Sequence, residues 1–240
     1  ERLIASGRVT VNGVTIRHQG LCIDPSAQQI AVDGRLLSPQ SKVYLVLHKP
    51  RNVVCTARDP QARRTFQALL PEALRERVYS VGRLDRDSEG LLLVTNDGDL
   101  AHALMHPRHN IAKTYLVWTK RRLSAREEQL LRAGIRSRGE HLELDLLERQ
   151  QDAYRVGLHT GRNRQIRRMF AAVGVGITRL QRVAVGPLQL GTLRAGDWRY
   201  LAARELKALW DAVGHQQAVS AHQKSAKPKC AQREALASRR

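Results

Sequence analysis

No stretch of this chain approaches the roughly 20 consecutive apolar residues that a membrane-crossing helix needs, and its first residues lack the pattern of a secretory leader. A membrane-embedded or exported protein is therefore not expected, and a cytoplasmic one is. Cysteine is scarce: Cys22, Cys55 and Cys230 are scattered and odd in number, which supports neither a disulfide framework nor a cysteine-based zinc site. They are expected to be reduced thiols without a chemical role. Also missing are a phosphate-binding Gly-rich loop, a dinucleotide fingerprint, and the His-x-Glu with Pro-Cys-x-x-Cys signature of nucleobase deaminases. No cofactor and no metal are expected. His102, His106 and His109 come nearest to a metal set, but Pro107 interrupts the helix between the second and third. The three are expected not to share a face, which falls short of the geometry zinc requires.

Acidic residues are few as well. Asp and Glu total 22 against 41 Lys and Arg, for a formal charge of +19 and a pI near 11.0. Such an excess repels itself in a compact chain and is better explained by a polyanionic partner, with nucleic acid favoured over an anionic membrane. The 240 residues, 42% of them hydrophobic, can bury the core of one full-sized domain and a small appended one.

Residues 1–38 read as that small unit. The end of a helix stops at Gly7, and Val9 and Val11 alternate with polar residues up to Asn12-Gly13. These two residues tolerate the positive φ of a tight hairpin turn, after which Val14 and Ile16 resume the alternation. Residues 30–36 repeat the device with Asp33-Gly34 at the turn. From 43 to 214 strand and helix patterns alternate, predicting an α+β domain on a mixed, largely antiparallel sheet. Strands are predicted at 43–48, 78–84, 91–95 and 115–119, with residues 141–147 paired to 154–159. Helices are predicted at 66–74, at 99–105 behind an Asp97 cap, and at 124–133 behind a Ser-x-x-Glu capping box. Residues 215–240 carry six basic residues against one acid with almost no apolar periodicity, and read as a disordered, RNA-attracting or merely solubilising tail.

Three segments carry chemistry. The first, Val81-Gly-Arg-Leu-Asp-Arg-Asp-Ser-Glu-Gly-Leu-Leu-Leu-Val-Thr-Asn-Asp-Gly98, is a strand, a charged turn and a second strand. It places Asp85 at a strand end, where a carboxylate alone is more often a turn cap than a catalyst. The second, Ala112-Lys-Thr-Tyr-Leu-Val117, puts Tyr115 on a strand, by default a half-buried packing residue. The third is Thr160-Gly-Arg-Asn-Arg-Gln-Ile-Arg-Arg-Met-Phe170. At about 100° per residue Ile166, Met169, Phe170 and Val173 form one stripe, Arg164 and Arg168 lie opposite, and Arg167 sits at the border. Four arginines at a helix start favour phosphate contact over a merely solvated face.

Gly82-Arg83-Leu84-Asp85, Lys113-Thr114-Tyr115 and the Gly161-Arg-Asn-Arg-Gln-Ile-Arg-Arg168 run, in that order, resemble the signatures of RsuA/RluB-type RNA pseudouridine synthases, with Ser88 where Thr is more usual and Thr160 where Glu is common. The two hairpins resemble the back half of an S-four-like RNA-binding module whose helical front half is absent, so the chain is expected to start inside a domain. The resemblance implies isomerisation of a uridine in ribosomal RNA, the base being cut from C1′, turned and rejoined through C5. It makes Asp85 the catalytic carboxylate and Tyr115 the platform for the uracil and a candidate for handling a proton. Arg167 is the expected partner that keeps Asp85 ionised. Arg83, Arg162, Arg164 and Arg168 are candidates for holding the RNA backbone while the uridine is extruded, and Leu84 and Ile166 for walling the base. Whether Asp85 attacks the ribose, abstracts a ribose proton or adds to the base stays open. The Arg-Asn-Arg-Gln run and Trp198-Arg-Tyr-Leu201 lean toward large-subunit rRNA. A monomer without protein partner or membrane is expected. The alternatives are a non-catalytic RNA-binding or ribosome-assembly protein, against which the Asp85, Tyr115 and Arg167 set argues, and a glycosylase that would release free base.

Overall fold

Asn12 and Gly13, at φ +50° and +81°, fold the chain sharply back on itself, as only residues tolerant of the left-handed region do. The computed structural model describes residues 1–24, 27–38, 40–56 and 59–214, and the chain divides into two compact units, Glu1–Val43 and Tyr44–Arg240. The tail read from the sequence at 215–240 lies outside the described residues. In the first unit a short helix α1 (Arg2–Ala5) leads into β1 (Val9–Val11), β2 (Val14–Ile16), β3 (Ile30–Val32) and β4 (Arg35–Leu36). They form an antiparallel sheet in the order β2-β1-β3-β4. Asp33 and Gly34, at φ +49° and +76°, make the second hairpin turn. Asp33 also accepts from Arg8 Nε at 2.8 Å, tying that turn to the start of β1.

The second unit is built on a nine-stranded sheet. In chain order its elements are β5 (Tyr44–Lys49), β6 (Tyr79–Val81), β7 (Glu89–Thr95), α2 (Gly98–Met105), β8 (Lys113–Thr119) and α3 (Ala125–Ala133). A small separate hairpin follows, β9 (Ile135–Ser137) and β10 (Glu140–Leu142). Then come β11 (Leu146–Arg149), β12 (Tyr154–Leu158), α4 (Gln165–Ala172), β13 (Ile177–Val185), β14 (Leu188–Gln189), β15 (Trp198–Tyr200) and α5 (Ala203–Ala212). The main order is β11-β12-β8-β13-β7-β5-β15, with β14 on β13 and β6 on β7. Only the β13–β7 pair is parallel, so the sheet is mixed and largely antiparallel, as its alternating patterns predict. The predicted caps form: Asp97 accepts from the Leu100 amide of α2, and Ser124 and Glu127 make a reciprocal capping box on α3.

Local sequence misleads in three places. The helix expected at 66–74 is a single 3-10 turn, Phe66–Leu69, because Leu70 precedes Pro71 and is extended, at φ −82° and ψ 160°. Residues 141–147, expected to be one strand, are divided between β10 and β11. Arg138 and Gly139, at φ +53° and +77°, turn the chain so that β10 pairs with the preceding β9, leaving only β11 for β12. Pro107 does end α2, but the 3-10 turn Pro107–His109 doubles back. The rings of His102, His106 and His109 therefore follow one another at centroid distances of 5.3 and 6.2 Å. Among the described residues they do not form a metal-holding group. Arg108 donates to both His106 Nδ1 and His109 Nε2.

Two cores hold the sheet. One gathers Val46, Leu91, Leu93, Val185 and Leu188 with Leu100 and Leu104 of α2 and Leu209 of α5. The other gathers Val117, Tyr154, Val156 and Leu180 with Leu131 of α3 and Ile166, Met169 and Phe170 of α4. Because strand residues alternate between faces, Gly90 lies on the face opposite Leu91. Gly90 is in register with Lys49 on one side and Arg182 on the other, and Arg182 with Tyr115. Lys49, Gly90, Arg182 and Tyr115 thus form one row across the face that carries α4.

Candidate active site

The turn at residues 82–88 leaves β6, whose three residues pair with β7, and returns as β7 itself. Gly82 at φ +72° starts it and the Ser88 amide closes it on the Asp85 carbonyl at 3.1 Å. Leu84 is buried, which turns the Asp85 side chain the other way, where 33% of it remains open. The first turn of α4 comes over this opening. Its cap residue, Arg164, stands in the left-handed region at φ 49° and ψ 34°, a conformation that costs a non-glycine residue energy and recurs at functional sites. The neighbouring Gln165 is buried and replaces a cap. Its amide Nε2 donates to the Glu143 carbonyl at 2.8 Å, and its Oε1 accepts from the Arg162 amide and the Thr160 hydroxyl, both at 3.2 Å.

The four arginines of the run are brought together in two pairs, each on one carboxylate. Arg164 makes a fork onto Asp87, Nη1 and Nη2 donating at 3.0 and 2.9 Å, and its Nη1 lies 3.6 Å from Asp85 Oδ2. Arg167 places Nε 3.2 Å from Asp87 and donates through Nη2 to the Asp87 carbonyl and the Ser88 hydroxyl at 3.0 and 3.3 Å. The ion pair expected between Arg167 and Asp85 is therefore corrected: Arg167 pairs with Asp87, and the guanidinium nearest Asp85 is that of Arg164. Arg162 and Arg168 both meet Glu140 of β10, at 3.2 and 2.7 Å. Arg168 also bonds Ser137, so it anchors α4 to the β9–β10 hairpin and is not a free phosphate contact. Ile166 is built into the second core, while Arg83 is exposed. Tyr115 is half-buried, packed against the second core in the row that begins at Lys49.

The arrangement offers a partly open carboxylate beside guanidinium groups in a basic chain, with an aromatic ring on the sheet floor. The family model described as RNA pseudouridylate synthase matches residues 43–172, more than half of the chain. The chain belongs to the RNA pseudouridylate synthase family. It is 37% identical over 223 residues to the ribosomal large subunit pseudouridine synthase B of Bacillus subtilis, covering 90% of each chain. It is 33% identical over 213 residues to the ribosomal small subunit pseudouridine synthase A of Vibrio cholerae, covering 87% of this chain and 91% of that one. A crystal structure of a pseudouridylate synthase matches it with a TM-score of 0.66 at 30% identity, over 87% of this chain and 91% of that one. The RsuA/RluB-type kinship read from the motifs is shown, as is the α+β fold it implies. The protein is an RNA pseudouridine synthase, an isomerase.

Several site residues of this synthase are not apparent from its motifs. Asp87 holds the Arg164 and Arg167 pair. Its burial pushes the carboxyl upward, but the Arg164 hydrogen bond and the charges of Arg167 and Arg164 outweigh that and hold it below its ordinary value. Arg164 is raised by that hydrogen bond, whereas Arg167 is lowered because burial outweighs the pull of Asp87. Lys49 is fully buried at the end of β5 and donates to the carbonyls of Pro50 and Val53 at 2.9 and 2.8 Å. Burial depresses it to about 8, with Cys55, Asp87, Asp85 and Glu89 opposing the shift. The segment it holds supports the turn: the Asn52 amide donates to the Arg86 carbonyl at 2.7 Å, and the Leu84 amide to Cys55 Sγ at 3.4 Å. The strand expected at 43–48 stops just short of Lys49, and nothing local distinguishes a buried lysine from a surface one.

Proposed function

We propose that this synthase converts a specific uridine of ribosomal RNA to pseudouridine, and that Asp85 is its catalytic carboxylate. The supporting observation is the partly open Asp85 side chain in the turn between two paired strands, with Arg164 3.6 Å away and Arg167 seated on the same turn. The Arg164 guanidinium is the cation nearest this carboxylate, the group that would attack C1′, take a ribose proton or add to the base. In this reading Tyr115 offers the uracil a stacking face, and its hydroxyl is the group assigned to moving a proton. Extruding the uridine costs a few kcal/mol, which Arg83, Arg162 and Arg164 offset through the backbone, Arg162 and Arg164 by exchanging their carboxylate partners for phosphates. The relative at 37% identity acts, by its name, on the large subunit and the one at 33% on the small. We favour the large subunit. In the same reading residues 1–38 form an S-four-like RNA-binding module.

Mapping pseudouridines in both rRNAs from cells with and without the gene tests the proposal. One position should lose its modification in the deletion strain and regain it with the wild-type gene. Asp85→Asn keeps the shape of the side chain and loses the carboxylate. It should leave that position unmodified while the purified variant binds the rRNA as the wild type does. Unchanged modification in the deletion strain would sink the rRNA assignment, and activity retained in Asp85→Asn would sink the catalytic one.

A further inference from the structure

Arg182, in the middle of β13, is 4% exposed, and no motif assigns it a role. Burying a guanidinium is unfavourable unless hydrogen bonds or a carboxylate compensate it, and among the described residues none of the ion pairs involves Arg182. Its compensation comes from main-chain oxygen. Nε donates to the Leu91 carbonyl at 2.8 Å and Nη1 to the Arg83 carbonyl at 3.4 Å, while Nη2 is buried without an acceptor. Those two carbonyls bracket Asp85 in sequence, one at the start of the 82–88 turn and one in β7 beyond its end.

The backbone is arranged to let this happen. Arg182 is in register with Gly90, where the parallel β13–β7 contact is only two residue pairs long. Gly90 has φ +110°, and a Cβ there would lie 2.2 Å from the Arg182 carbonyl oxygen. Glycine is required for β13 to come this close to the end of the turn. On its other side Arg182 is in register with Tyr115.

We propose that Arg182 is the positioning residue of the site: one guanidinium ties the start of the Asp85 turn to the strand that follows it and so sets the carboxylate against Tyr115. The planar fork holds its two acceptors at a fixed separation, which a lysine, as a single point donor, does not do. The inference rests on the reading of Asp85 as the catalytic group, because a clasp on this turn matters to turnover only through Asp85.

The test uses the full chain carrying Arg182→Met or Arg182→Lys, with hydrogen–deuterium exchange, thermal melting, RNA affinity and single-turnover rate on rRNA. Amides at residues 82–91 should exchange faster by about tenfold or more in both variants, with α3 and α5 unchanged. The single-turnover rate should fall by about a hundredfold in Arg182→Met and less in Arg182→Lys, at nearly unchanged RNA affinity, since misplacement by about an ångström costs that much. Unchanged exchange at 82–91, or a wild-type rate with faster exchange, overturns the proposal. So does loss of folding in both variants, which would make Arg182 a core cation. The exchange arm needs no substrate: an inactive wild type with the predicted exchange pattern would fault the rRNA reading and leave the clasp standing.

Discussion

Lys49 shows what burial does to a single charge. Below about pH 8 it is protonated in the folded and unfolded chain alike, and its desolvation lowers stability. Between about 8 and the ordinary 10.5 the folded chain holds the neutral amine while the unfolded chain still binds the proton, so the protein gains stability as pH rises. Lys49→Met removes the titration. Between pH 7 and 10 the unfolding free energy of the wild type should therefore rise relative to Lys49→Met by about 2 kcal/mol. Denaturant melts of both proteins at the two pH values measure this, and a difference that stays flat would show that Lys49 is not depressed. Asp87 illustrates the opposite case. Its sequence neighbours are those of any charged turn, and only the arrival of α4, some eighty residues later, makes it the partner of Arg164 and Arg167.

At the scale of elements, helix α4 carries the difference between what periodicity reveals and what packing assigns. The stripe of Ile166, Met169 and Phe170 is buried as the 3.6-residue period requires. The opposite, basic face divides: Arg164 turns to the Asp85 loop, whereas Arg168, with 10% of its side chain open, is held by Glu140 and Ser137. Arg168→Ala should consequently lower the melting temperature by about 3–6 °C through loss of the α4 to β9–β10 connection. Its RNA binding should show the same salt dependence as the wild type. A shallower salt slope with an unchanged melting temperature would return Arg168 to the phosphate-binding set. The β9–β10 hairpin itself was readable in hindsight from Arg138-Gly139, but the stronger apolar alternation at 141–147 concealed it.

For the whole molecule, a charge of +19 distributed over 240 residues makes RNA affinity depend on ionic strength through counterion release. The basic residues do not share this work equally, because Arg162, Arg164, Arg167 and Arg168 are already paired within the fold. Exposed Arg83, beside Asp85 and outside every ion pair among the described residues, is available for a phosphate. Arg83→Ala should reduce the slope of log affinity against log salt by about one, the effect of a single lost contact. An unchanged slope in filter binding across a salt series would remove Arg83 from the backbone-binding set.

What was legible without coordinates was whatever short-range physics decides: the Asn12-Gly13 and Asp33-Gly34 turns, the Asp97 and Ser124 caps, the buried stripe of α4, the basic charge, and the three motifs that place the chain in its family. Where a rule concerned neighbours along the chain, as with Pro71 and Pro107, even the misreadings were local, a helix cut short and a turn doubled back. Pairing across long separations was not legible. That Arg167 meets Asp87 and not Asp85, that Lys49 and Arg182 lie buried in one row with Gly90 and Tyr115, and that Arg168 serves the hairpin are set by β13 entering between β7 and β8 and by α4 docking over their face. A charged side chain carries no local mark of its partner, since its energy depends on which carboxylate or carbonyl the fold brings within about 3 Å.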